Sequence, residues 1–334
     1  MARTVILSTA RTPFGKMGGG LATVNAAELG GVAIAGALER AGVAPDQVQQ
    51  VSYGQVIQAG QGQIPSRQAQ INGGIPKEVP SETVNKVCAS GMRAAGLIDQ
   101  AIRAGDIEVG VAGGMESMSL APYLLPGARS GFRMGDVKAV DSMTHDGLTN
   151  PFTHLQMIAE ASTVSNEVGI SREEMDAWSA RSHELAQKAK EAGVLAEEIV
   201  PVTVKGRKGD TVVDEDEAIR PGTTAESLSG LRAVGGEDAT HTAGNAPGVN
   251  DGAGALVLAS EEWAEANGKT PMATIVGYGQ IGDEYACLAK TPALAAKAAL
   301  DRLGKTPADV DLWEVNEAFA SVTLKTIKML DIDP

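Results

Sequence analysis

The chain has 334 residues and a net charge of −14, from 28 Lys and Arg against 42 Asp and Glu. That balance excludes the basic stripe that nucleic acid or an anionic membrane surface requires, and no apolar run is long enough to span a bilayer. Two cysteines, with no charged-then-apolar leader over 1–15, point to a reducing, cytoplasmic setting without a disulfide framework.

The length allows two or three domains. Aromatics at 3% and 40 glycines make the cores aliphatic and closely packed. Val5–Ser8 reads as a short strand, broken by Thr12-Pro13 and Gly18–Gly20. A helix is expected over Ala26–Ala41, apolar on most of its surface and closed by Gly42, and then a strand at Val51–Val56. Helices alternating with short apolar strands suggest an α/β body with a parallel sheet.

Val84 to Arg93, V-N-K-V-C-A-S-G-M-R, is the stretch with the most chemistry. An apolar, β-branched approach ends at Cys88. A helix begins behind it, with Met92, Ala95, Ile98 and Ile102 at spacings of three and four and Gly105 as its stop. A thiol at a helix N-terminus meets unpaired N–H groups and the positive end of the dipole, which favour thiolate. Cys88 is thus a candidate nucleophile. A buried, inert cysteine is the competing reading.

Glu108–Gly114 is the next strand. Past Ser119 the pattern becomes irregular, and Tyr123 to Asn150 reads as a long excursion. Ser171 and Glu174 form a capping box for a helix whose buried face is marked by Met175, Trp178, Leu185 and Ala189. His183 on that helix is read as solvent-facing. Val200–Val204 and Thr211–Val213 read as a hairpin with Lys205, Arg207 and Lys208 at a solvated tip. The chain returns at Thr242 to Ala255 and enters a strand over Ala255–Ala259. Another strand is expected over Leu312–Val315.

Residues 37–48, A-L-E-R-A-G-V-A-P-D-Q-V, recur at 299–310 as A-L-D-R-L-G-K-T-P-A-D-V. Two similar α/β halves are implied. On the same offset the counterparts of Cys88 and Gly113 would fall beyond Pro334, so either the sequence is shortened or the second half is incomplete, and an incomplete second half is expected in this chain. The domains read as 1–119, completed by 251–270; a loop domain over 120–250; and a C-terminal half over 271–334.

V-C-A-S-G-M, A-G-G-M-E-S-M-S, D-G-L-T, G-R-K-G-D, T-A-G-N-A-P-G-V-N-D-G-A and N-E-A-F, in that order, resemble the thiolase family in the pattern of its bacterial acetyl-CoA acetyltransferases. The resemblance covers the whole chain. It implies two α/β halves stacked in a five-layer αβαβα arrangement with an inserted loop domain, paired as homodimers or homotetramers. It also implies making or cleaving acetoacetyl-CoA through an acyl-thioester on Cys88. Coenzyme A and acetyl-CoA enter as substrates; no permanent cofactor and no metal is expected.

By the same resemblance Asn316 holds a water in one oxyanion hole, and backbone N–H groups, including that of Cys88, form the other. Without it, Asn316 would read as a turn residue. Leu148, Met157, Arg220, Ser227, Ala243, Ala318 and Phe319 match positions that contact the coenzyme. Leu148 and Met157 could equally be core, and Arg220 an exposed charge. Pro247 stands where the family usually has Ser, and Gln156 where a His is frequent.

The family's G-H-P His and C-x-G Cys are absent from the sequence, and Cys287 reads as a packing residue. The 334-residue chain is therefore expected to be inactive by itself. A non-catalytic acyl-CoA-binding protein is the alternative. A ketoacyl-synthase-like condensing enzyme is disfavoured by T-A-G-N and N-E-A-F.

Overall fold

The computed structural model describes residues 2–236, 239–284 and 288–334. Its contacts divide the chain into two compact units, 1–147 with 193–218 and 249–276, and 148–192 with 219–248 and 277–334. The 120–250 stretch is shared between these units and does not form a unit of its own. Residues 271–276 fall in the first unit and the rest of 271–334 in the second. Cys287 lies outside the described residues.

The first unit is built on a seven-stranded sheet. Its order is Ala273–Ile275, Thr4–Arg11, Asn250–Ser260, Val109–Ser117, Gln50–Gly54, Ser81–Val84, with the two-residue strand Gly15–Lys16 beside Asn250–Ser260. The sheet is mixed, which corrects the expectation of a parallel one. Gln50–Gly54 runs parallel to both its neighbours, whereas Asn250–Ser260 is antiparallel to Thr4–Arg11 and to Val109–Ser117. The 250–260 segment comes back from a distant part of the chain and threads between two strands already in place. A strand buried on both faces, as Asn250–Ser260 largely is, shows the near-continuous apolar run of a parallel strand whichever way it is laid.

The helix Ala26–Ala41 lies against this sheet. Asn25 caps it by accepting the Glu28 N–H at 2.9 Å, and Gly42 closes it at φ 57°. Leu29, Ala33, Ile34, Ala37 and Leu38 are buried; each larger aliphatic contributes roughly 1.5–3 kcal/mol by leaving water. A Cβ on Gly31 would come 2.4 Å from Asn72 Cβ, so this glycine sets how closely the helix meets Pro65–Asn72. The hairpin forms as Val202–Val204 against Thr211–Val213, with Lys205 ion-paired to Asp210 at 2.6 Å near its tip.

The second unit is helical among its described residues: Met157–Glu167, Arg172–Glu191, Ala225–Ser229, Thr291–Leu303 and Ala320–Leu330. The capping box at Ser171 forms, with the Ser171 N–H donating to Glu174 at 2.8 Å. Met175 is buried and Trp178 partly so, but Leu185 is 44% exposed and Ala189 only half-buried. The buried stripe therefore covers only the first half of that helix, because its second half meets too few apolar neighbours to hide Leu185.

Both copies of the repeat fold alike. Each helix ends on a left-handed glycine, Gly42 at φ 57° and Gly304 at φ 62°, before a 3-10 turn that begins at Pro45 or Pro307. Beyond that turn the two copies diverge. The first leads into Gln50–Gly54 in the sheet, while in the second Leu312–Val315 pairs with no described residue and Leu312 is 78% exposed. The expected strand at 312–315 is absent because a strand exists only where a neighbour completes its hydrogen bonds.

Candidate active site

Cys88 lies in the first unit, on the turn between the strand Ser81–Val84 and the helix Ser90–Ala104. The helix start lies close to the sheet. A Cβ on Gly54 would meet the Ser90 backbone at 2.6 Å, and a Cβ on Gly114 would meet Gly91 Cα at 3.4 Å. Bulk at either position would push the turn outward.

The strand stops at Val84, four residues short of Cys88, and Val87 adopts a left-handed φ of 50°. For a β-branched residue this is an outlier, a strain of order 1–3 kcal/mol. The turn holds it with several bonds. The Val87 N–H donates to Asn85 Oδ1 at 2.9 Å, and the Ser90 N–H donates to the Val87 carbonyl at 3.0 Å. Ser90 Oγ donates to that same carbonyl at 2.5 Å and accepts the Lys86 N–H at 2.8 Å.

Cys88 is exposed. It lies two residues before the first helical residue, past the point where the dipole acts most strongly. Its thiol is pushed up from the ordinary range, mainly by desolvation and also by the charge of Glu116, against a hydrogen bond from its own backbone. These surroundings work against the thiolate that the helix start was expected to favour. Met92 is 70% exposed, so the apolar stripe of the helix starts later, at Ala94, Ile98 and Ile102.

Glu116, in the strand Val109–Ser117, acts through its charge on the Cys88 thiol; the motif G-G-M-E contains it but does not single it out. Its half-buried carboxylate accepts the Val56 and Ile57 N–H groups at 2.9 and 3.2 Å. Desolvation raises its pKa to about 7, opposed by those two bonds.

Asn316 lies in the second unit and is exposed, with its carbonyl accepting the Ala318 N–H at 2.8 Å. The next residue is held firmly. Glu317 accepts from Trp178 Nε1 at 2.7 Å and from Ser182 Oγ at 2.6 Å, both on the helix Arg172–Glu191. Phe319 is buried, and its ring meets that of His241 edge-on with centroids 5.1 Å apart. The Ala320 N–H donates to the Asn245 carbonyl at 3.2 Å.

Met157, Ala318 and Phe319 come together in one apolar cluster around Ala161 and Val322. Leu148 is half-buried and Ala243 exposed, and neither belongs to that cluster. Arg220 and Ser227 are exposed on the 219–230 segment, also outside it. Ser227 Oγ is engaged locally, accepting the Thr224 N–H at 3.0 Å and donating to the Thr224 carbonyl at 2.8 Å. His183 is not simply solvent-facing. It is half-buried, and its Nδ1 accepts the Arg220 N–H at 3.3 Å. Desolvation and then the Arg220 charge lower its pKa, against Glu317.

A buried polar network under this region is carried mostly by residues that no motif marks, Asn245 of T-A-G-N being the exception. His241 is fully buried between Ser162 Oγ on Nδ1 at 3.3 Å and Ser321 Oγ on Nε2 at 3.0 Å. Desolvation, helped by the Arg172 charge, lowers its pKa to about 4 and keeps it neutral. Asp176, 3% exposed, takes Arg172 Nε at 2.6 Å and Asn245 Nδ2 at 2.9 Å. An Asp four residues after an Arg was the available signal. Among the described residues no group of three or more His, Cys, Asp or Glu is arranged to hold a metal. No described helix is long and apolar enough to cross a membrane.

Residues 4–262 match the family model for the thiolase N-terminal domain, and residues 269–334 match the one for the thiolase C-terminal domain. An acetyl-CoA acetyltransferase of Cupriavidus necator is 48% identical over 334 residues, which is 100% of this chain and 85% of that protein. One from Chromobacterium violaceum is 47% identical over 326 residues, 97% of this chain and 83% of that protein. The solved acetyl-CoA acetyltransferase of Syntrophomonas wolfei superposes with a TM-score of 0.96 at 39% identity, over 99% of this chain and 83% of that one. These likenesses give no support to an incomplete second half.

Proposed function

The chain belongs to the thiolase family and has its fold, and from that premise we propose that it carries out acyl transfer between coenzyme A thioesters, making or cleaving acetoacetyl-CoA through an acylated Cys88. Relatives of similar sequence over nearly the whole chain are named acetyl-CoA acetyltransferases. The observation that carries the reading is an exposed thiol on a strained strand-to-helix turn. In the first half-reaction the Cys88 sulfur attacks the acetyl carbonyl of acetyl-CoA. The S–C bond to coenzyme A breaks, and the thiol proton leaves with the coenzyme A thiolate. Splitting the transfer into two steps lowers each barrier. The family resemblance assigns oxyanion stabilisation to backbone N–H groups including that of Cys88, and to a water on Asn316, where preorganised donors act on the developing charge. It assigns coenzyme contacts to Leu148, Met157, Arg220, Ser227, Ala243, Ala318 and Phe319. We place the protein in the cytoplasm as a homodimer or homotetramer, with no permanent cofactor.

The raised thiol pKa means that a base must take the proton. The sequence holds no G-H-P His and no C-x-G Cys, so the 334-residue chain alone is expected to acylate slowly and not to condense. The test is incubation of the chain with acetyl-CoA, followed by peptide mass spectrometry and an assay for acetoacetyl-CoA. An acetyl adduct on the Cys88 peptide, absent from Cys88→Ser, with no acetoacetyl-CoA formed, supports the reading. Coenzyme A binding without an adduct favours the non-catalytic binding protein. Condensation at an ordinary enzymatic rate of about 10 s⁻¹ overturns the expected inactivity.

A further inference from the structure

We propose that Asn85 is a positioning residue for Cys88, the last link of a hydrogen-bond relay that runs from Glu116 in the sheet through Val56 to the left-handed Val87; this rests on Cys88 being the acyl acceptor.

The relay starts at a fixed point. Glu116 stands opposite Gly252 in the interior of the sheet. Its carboxylate accepts the N–H groups of Val56 and Ile57 at 2.9 and 3.2 Å, pinning the chain just past the strand Gln50–Gly54. The Val56 carbonyl then accepts Asn85 Nδ2–H at 3.2 Å, and Asn85 Oδ1 accepts the Val87 N–H at 2.9 Å. Val87 is the residue before Cys88, and its φ of 50° sets the direction in which the chain delivers the thiol.

Asn85 suits this task on chemical grounds. A carboxamide offers a donor and an acceptor on one short, planar group. Aspartate keeps the acceptor and loses the donor, alanine loses both, and glutamine is a methylene longer. Asn85 is itself exposed, so water can replace both bonds when they are lost and global stability changes little. What water cannot replace is the geometry. Without the Oδ1 acceptor, a β-branched residue has less to keep it left-handed, and the turn relaxes toward an ordinary φ. Ser90 braces the Val87 carbonyl from the other side, so the N–H side is the one that depends on Asn85.

The experiment measures the rate of acetyl transfer from acetyl-CoA to Cys88 by mass spectrometry in four chains: the parent, Asn85→Ala, Asn85→Asp, and Asn85→Ala with Val87→Gly. Coenzyme A affinity and the melting temperature are measured beside it. Asn85→Ala is expected to slow acetylation about 10- to 100-fold, as a displaced reacting group does, with coenzyme affinity and melting temperature unchanged. Asn85→Asp falls between. Val87→Gly in the Ala background restores most of the lost rate, because glycine takes the left-handed conformation freely; a merely structural role for Asn85 gives no such rescue. Asn85→Ala acetylating within about twofold of the parent, or failure of the glycine to rescue, overturns the positioning role while leaving Cys88 as acceptor. A parent chain with no adduct on Cys88 overturns both readings together.

Discussion

The Cys88 turn and the Asn316 segment are built by opposite means. The first hangs on a sheet. Parallel pairing of Gln50–Gly54 with Ser81–Val84, and glycines that let a helix start lie close, place an exposed residue by backbone geometry. The second continues no strand. Side chains hold most of it: Trp178 and Ser182 on Glu317, and His241 against Phe319, with one backbone bond from the Ala320 N–H to the Asn245 carbonyl. Backbone placement keeps its stability when an exposed side chain such as Asn85 is changed, whereas side-chain placement fails when one buried group is lost or changes charge.

Cys88→Ser tests the first side most severely. The acetyl adduct on this peptide, already slow to form in the parent chain, should disappear altogether, since the acceptor itself is removed. Cys88 is exposed, so urea stability should stay within roughly 0.5 kcal/mol. A large loss of stability would mean that the turn carries structure as well as chemistry.

On the other side, Asp176→Ala removes the acceptor that Arg172 and Asn245 share. Truncation leaves Arg172 Nε–H and Asn245 Nδ2–H without their acceptor, while Arg172 keeps the Leu228 and Leu231 carbonyls, at a cost of about 3 kcal/mol in urea unfolding. A cost below about 1 kcal/mol would erase the contrast between the two regions.

Protonation sharpens the comparison further, because the two regions respond with opposite sign. His241 has its pKa lowered from 6.5 to about 4. Between these values the unfolded chain binds the proton and the folded one does not, so His241 costs stability as pH falls below 6.5. Glu116 has its pKa raised from 4.5 to about 7. In that window the folded chain holds the proton, so its contribution is full below pH 4.5 and is lost as pH rises through 7. Each amounts to about 2 kcal/mol between pH 5 and pH 7, and together they nearly cancel. His241→Gln should therefore make the chain lose stability from pH 5 to 7, and Glu116→Gln should make it gain. Urea midpoints at the two pH values decide it; parallel shifts in both variants would contradict the assignment.

The same division governs how much was legible in the sequence. The helix Ala26–Ala41 could be bounded from Gly42 and its apolar face, and the capping box at Ser171 from Ser and Glu three apart, because those signals are local. Cys88 could be placed on a strand-to-helix turn for the same reason. The titration of its thiol could not, since that depends on what the fold packs around the sulfur and on Glu116, 28 positions away. Nor could the direction of Asn250–Ser260, the missing ladder at 312–315, or the partners of His241 and Asp176. Each is decided by residues far along the chain. The repeat illustrates both halves of the lesson: the same twelve-residue pattern gives the same helix end and turn twice, but only one copy leads into a paired strand.

The smallest expected effect is at Ser182. Its hydroxyl donates to one Glu317 oxygen at 2.6 Å while Trp178 Nε1 holds the other at 2.7 Å. Glu317 is exposed, so after Ser182→Ala water takes the vacated lone pair and the net loss is about 0.5–1 kcal/mol. The neighbouring His183 accepts the Arg220 N–H, so one turn of the helix Arg172–Glu191 touches both the residue after Asn316 and a proposed coenzyme contact. Loosening that turn should weaken coenzyme A binding by about two- to fivefold, the same free energy expressed in affinity. Trp178→Phe, which removes the other donor and keeps most of the ring, should give a change of similar size. Calorimetric titration of coenzyme A into the two single variants and the double variant measures this. A double variant no weaker than either single one would mean that Glu317 needs only one donor, and that the clamp does not set the position of the segment beside Asn316.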